Sequence, residues 1–458
     1  MKVPEVSLKD KAAHTTEVLA DYSHGLRRED IPAATIETIQ RCVLDVLGAA
    51  AAGARSDAAL VSRRTAERLS GEGGSDIWFG GKRRQAAGAA FANSAAASAL
   101  DIDDGHRASG GHPGASVIPA VFALSQETQT GWPEALAGIA IGYEVGVRVA
   151  AARDLRSLDT FSTGRWCAFG VAAAAGRLRR LSIRHTAEAM ALAGVLSPGL
   201  SAAGYSKVMG NHAKEAIPWA TLTGLWAAEL AAGGFTGPLD ILDHPAYYDA
   251  SKVLEGLGER FAVDEVYFKP YACCRWIHAA LDAFSGLVER HNLRPAEILS
   301  IEVHTFERAL RLNNYPDPEN LESAQYSIPF CLAVAAAEGK NGLVPIRQSL
   351  LHRPEIVELA RRVALHVDPE LDPMFPKHTP ARVIIGTDRG RFESICHHPL
   401  GDPDAPMRWE MVVEKFQHLT QGTLTRARQE AIIQAVDLLP TQGPAALLDC
   451  LAEPVESP

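Results

Sequence analysis

A mainly helical fold with an inserted α+β segment is predicted by three features of the sequence. The first 265 residues read as helix after helix. A β-branched strand and a hairpin pattern appear only between about 298 and 396. The chain then turns helical again to its end. The expected plan is a large helical domain built from both chain ends (1–265 and 401–458) and a smaller α+β domain (266–400).

Each element has a local reason. Residues 31–52 carry Ile36, Ile39, Val43, Val46 and Leu47 at helical spacing, with Pro32 in the first turn. Residues 85–100 are Ala-rich, and such small faces let helices approach closely. Residues 132–151, 168–178, 183–193 and 217–232 continue the pattern, and Gly233-Gly234 supplies a helix stop. The stretch 298–305, ILSIEVHT, is a good strand. Residues 382–385 and 391–396 flank the turn-like 386–390. Helices are expected over 323–338 and 354–363, and again over 407–416, 424–439 and 444–451.

Bulk properties exclude several roles. Forty-five Lys and Arg stand against 55 Asp and Glu, a net charge of −10, so neither nucleic acid nor an anionic membrane surface is an expected partner. No apolar run is long enough to span a bilayer, and the first residues lack a signal-peptide core. The seven cysteines are scattered without a CxxC, which fits reduced thiols in a cytoplasmic protein and no structural zinc.

In so acidic a chain, clustered cations and histidines are informative. The densest polar segment is 101–114, DIDDGHRASGGHPG, a loop between two apolar helices. Removing a proton beside a carboxylate needs a base titrating near neutrality, and an Asp can orient such a histidine. Asp101 with His112 is the preferred pair, with His106 placed among the substrate-binding residues. A metal site using Asp101, Asp103, His106 and His112 is the alternative. Lys214 precedes an apolar helix whose N-terminus favours anions, and Tyr205, upstream of it, is a further expected substrate-binding residue. In 269–278, KPYACCRWIH, Arg275 can grip a carboxylate and His278 offers a second acid/base. Arg165, in FSTGRW, is a further carboxylate clamp.

Taken in order, these segments resemble the MmgE/PrpD family. The matching stretches are 89–119 (AAFANSAAASALDIDDGHRASGGHPGASVIP), 142–147 (GYEVGV), 224–242 (GLWAAELAAGGFTGPLDIL), 269–282 (KPYACCRWIHAALD) and 397–407 (HHPLGDPDAPM). The family includes 2-methylcitrate dehydratase, cis-aconitate decarboxylase and iminodisuccinate epimerase. The resemblance implies a homodimer with an α+β lid domain, and a lyase acting on a small di- or tricarboxylate without metal or organic cofactor. It places the family's catalytic residues on Asp101, His112, Lys214 and His278. One departure stands out: Phe161 occupies a place where many members carry histidine. Dehydration ranks first among the expected reactions, ahead of decarboxylation and epimerisation. A metal-dependent hydrolase and a non-catalytic binding protein are remoter alternatives.

Overall fold

The computed structural model describes residues 13–158, 161–197 and 210–455. The apolar core falls into two large parts, with a small third cluster of Ala49, Leu100, Ile102, Ala272 and Leu419. One gathers helices from Leu19 to Phe268 together with Met407 to Leu451, and the other is built from Tyr271 to Ile385.

The first core is mainly α. The periodic residues of helix Ala33–Gly53 (Ile36, Ile39, Val43, Val46 and Leu47) are all buried. Pro32 stands just outside that helix as its cap. Small residues allow the close packing seen here: a Cβ on Gly170 in helix Cys167–Leu178 would lie only 2.1 Å from the carbonyl oxygen of Gly142 in helix Trp132–Ala151. A side chain at that crossing would drive the two helices apart. Helix Trp409–Thr420, from the far end of the chain, seats Phe416 against Gly48. Beneath the loop after helix Ala86–Ser98, Lys415 pairs with Asp45 at 2.6 Å and donates to the Ile102 carbonyl at 2.6 Å. The chain's last third thus props up the 101–104 segment.

The second core carries a four-stranded sheet in the order Val363–Val367, Ser300–Thr305, Ala381–Thr387, Gly390–Cys396. The hairpin forms as expected, with Thr387 opposite Gly390. Two expectations change. The helix expected over 323–338 breaks into Leu321–Ala324 and Ile328–Glu338, because Pro329 has no N–H to continue the first turn and Ser327 caps the second. The helix expected over 354–363 stops at Ala360, and Val363–Val367 becomes an edge strand parallel to Ser300–Thr305. Mostly solvent-facing, that strand lacks the alternating apolar signature by which strands are read. Among the described residues no helix is long and apolar enough to cross a membrane.

Candidate active site

The loop 101–114 is shaped from beneath. Asp101 has φ of +52°, a left-handed conformation that ends the preceding helical run and costs of order 1 kcal/mol in a non-glycine residue. Gly105–His106 pairs with Val266–Tyr267, bringing the loop against the segment that starts the second core. Asp104 turns inward, accepting from the Gly114 amide at 3.1 Å and the Tyr143 hydroxyl at 2.8 Å. Only glycine fits at 114, since a Cβ there would lie 2.1 Å from Asp104 Oδ1. Burial and the neighbouring Asp45 push the Asp104 carboxyl up to about 7. It braces the loop rather than facing ligand.

His112 is fixed by this brace. Its Nδ1–H donates to the Asp104 carbonyl at 3.0 Å, and Asp103 Oδ2 lies 3.2 Å from the same nitrogen as an ion-pair partner. The remaining nitrogen, Nε2, lies 3.7 Å from Asp101 Oδ1, and the residue lines a cavity. Burial works against the charged imidazole, but the Asp103 carboxylate outweighs it and raises His112 to about 9.

Asp101 is the hub. Lys269 sits 3.0 Å from one of its oxygens, and Lys214 3.7 Å from the other. Burial pushes the Asp101 carboxyl up, yet Lys269, Lys214 and His112 together hold it well below the usual carboxylate range. Lys269 is wholly buried. Although desolvation opposes its charge, Asp101 and Asp103 raise it above an ordinary lysine. Lys214 is presented by three consecutive left-handed residues, Lys214, Glu215 and Ala216, with φ of +42°, +56° and +59°. Its Nζ donates to Gln325 Oε1 at 2.5 Å and lies 5.2 Å from the Tyr326 ring centre. Such strain, held by surrounding contacts, is characteristic of functional positions. Glu215, next to it, accepts from Thr163 Oγ1 at 2.9 Å, and burial raises its carboxyl.

These groups open on a cavity of about 280 Å³, a size suited to a small molecule. Asp101, His112, Lys214 and Glu215 line one part of it. Half-buried Phe161 and Trp276, with Phe375, line another.

Two family models cover nearly the whole chain. The MmgE/PrpD N-terminal domain matches residues 17–251 and the MmgE/PrpD C-terminal domain matches 271–440. The chain belongs to the MmgE/PrpD family. Similar proteins include a cis-aconitate decarboxylase of Aspergillus terreus, 26% identical with 98% of each chain covered. Those of Mus musculus and Homo sapiens are each 25% identical, covering 93% and 92% of this chain and 90% and 91% of theirs.

In this MmgE/PrpD protein, Asp101, His112 and Lys214 share one cavity with His106. Burial lowers the His106 ring to about 4, so it enters as a neutral group. Several sequence assignments need correcting. The carboxylate closest to His112 is Asp103, not Asp101, which belongs chiefly to the lysines. Arg275 borders the cavity, but its guanidinium is committed to Asp402 at 2.8 Å and to the Leu400 and Pro399 carbonyls at 2.9 and 3.0 Å. His278 is fully buried and does not line the cavity; its ring nitrogens meet the Cys273 carbonyl at 3.1 Å and Arg275 at 3.0 Å. Arg165 lies near Arg153 and Tyr248 and does not line the cavity either. Tyr205 lies outside the described residues. The four donors of the metal alternative do not gather: among the described residues, the groups close enough to share an ion are Glu302, His304 and His366, and His378, His398 and Asp404.

Sequence reasoning named Asp103 only as a ligand of the metal alternative, and missed Lys269, Glu215 and Gln325 as parts of the site. Asp103 and Lys269 lay within motifs already quoted, but nothing in the spacing tells which of three nearby carboxylates meets the imidazole. Gln325 had no local signal.

Proposed function

We propose that this MmgE/PrpD protein is a lyase that removes carbon dioxide from a small unsaturated polycarboxylate, with His112 as the proton donor. One observation supports the reading most: the Asp103 carboxylate lies against His112 Nδ1, an arrangement that favours the protonated ring, and His112 lines a cavity that also holds Lys214. The names of the similar proteins agree with it.

The substrate's carboxylates dock toward Lys214 and the imidazolium through charge-assisted hydrogen bonds. The bond from the chain carbon to one carboxylate breaks, and its electron pair stays on the carbon skeleton, spread into the adjacent double bond and carboxylate. Carbon dioxide leaves. His112 Nε2–H then delivers its proton to carbon, and water reprotonates the neutral ring. Lys214, itself buried, stabilises the developing charge.

Dehydration, ranked first from the sequence, needs a base to take a proton from carbon. An imidazole raised to about 9 is already protonated at neutral pH and makes a poor base. Dehydration and epimerisation therefore fall behind decarboxylation. All seven cysteines are free thiols, which supports a cytoplasmic location.

A product-resolved assay tests the reading. Wild type and His112→Gln are compared on cis-aconitate, citrate and 2-methylcitrate by NMR. Loss of roughly 10²–10⁴-fold in carbon dioxide release by the folded variant is expected. Unchanged turnover would remove His112 from the role.

A further inference from the structure

The cavity is chemically two-sided. At one side stand Lys214, His112 and Asp101. At the other, Phe161 meets Trp276 edge-on at 5.8 Å and Phe375 at 6.1 Å; Trp276 in turn meets Phe375 at 5.7 Å. Phe306 stacks on Phe375 at 4.8 Å from behind and stiffens the wall. Leu155 and Leu312 extend the apolar lining.

Two arginines also border this side, and both are engaged. The Arg308 guanidinium lies 4.4 Å over the Phe161 ring and donates to the Leu158 carbonyl. Arg311 pairs with Glu307 at 3.0 Å in an exposed position. A carboxylate placed against the aromatic wall would lose water and gain little in return. An alkyl or aryl group there would instead shed apolar surface against rings already fixed in place. A fully carboxylated small acid leaves this wall unused.

We propose that the substrate carries an apolar arm of several carbons, seated against Phe161, Trp276 and Phe375 while its carboxylates face Lys214 and His112. This rests on the reading that the Lys214 side binds carboxylates, and it makes Phe161 a specificity-determining residue. Each methylene buried on the wall is worth up to about fourfold in affinity, from ~0.8 kcal/mol per buried CH₂.

Binding separates the arm from the chemistry, because it does not depend on turnover. Succinate, butylsuccinate, benzylsuccinate and tricarballylate are titrated calorimetrically into wild type, Phe161→His and Phe161→Leu. Wild type is expected to bind butylsuccinate and benzylsuccinate at least tenfold tighter than succinate, and tighter than tricarballylate. Phe161→Leu should keep that preference, and Phe161→His should lose most of it while still binding succinate. If tricarballylate outbinds both substituted succinates, or if Phe161→His keeps the full preference, the arm is refuted and the carboxylate reading stands. Failure of all four acids to bind would overturn both.

Discussion

Asp103→Asn changes one charge and almost no volume, so it isolates the cause of the His112 shift. In the wild-type site the imidazole is raised to about 9, against an ordinary histidine value of about 6.5. Burial alone lowers a histidine, so without the Asp103 charge the ring titrates at or below ~6.5. At pH 8 the protonated fraction then falls from about nine-tenths to about 3%, a loss of roughly 30-fold in active enzyme. The same shift bears on stability. The folded value lies above the unfolded one, so the contribution is complete below about pH 6.5 and disappears as pH rises through 9. Its size is about 3 kcal/mol, from ~2.5 units at 1.36 kcal/mol each. The assay is the pH dependence of kcat/KM, alongside ¹³C-histidine NMR with His112→Gln assigning the resonance. The variant should lose its alkaline activity and recover it at acid pH. An alkaline limb that stays near 9, or an equal loss at every pH, would refute the assignment of Asp103.

Two further outcomes are expected. Lys269→Met leaves the Asp101 carboxylate buried without its nearest cation; breaking such a pair costs about 3–5 kcal/mol, read as a lower denaturant midpoint. Gly114→Ala forces a methyl into the space of Asp104 Oδ1, and should lower Tm and weaken activity through displacement of the His112 loop.

Helices were legible where burial follows period 3.6, as in Ala33–Gly53, and where glycine-rich loops interrupt Ala-rich runs. Val363–Val367 was not legible, because an edge strand with few buried residues has no apolar alternation to read. The break at Pro329 was in plain sight, yet the continuous apolar run around it favoured one helix. For the site, residue types marked the loop 101–114, and the resemblance singled out Asp101, His112 and Lys214, which line one cavity. What the sequence could not supply was direction. The turn at Asp101 and the inward fold of Asp104 decide which oxygen meets His112. The commitment of Arg275 depends on Asp402, 127 residues away.

Turnover in D₂O tests the central claim most directly. With the imidazolium as donor, each carbon dioxide released should leave one deuterium on the product carbon skeleton, and wild-type rates should fall above pH 9. A product that has lost water and kept every carboxylate, or carbon dioxide release undiminished in His112→Gln, would contradict it.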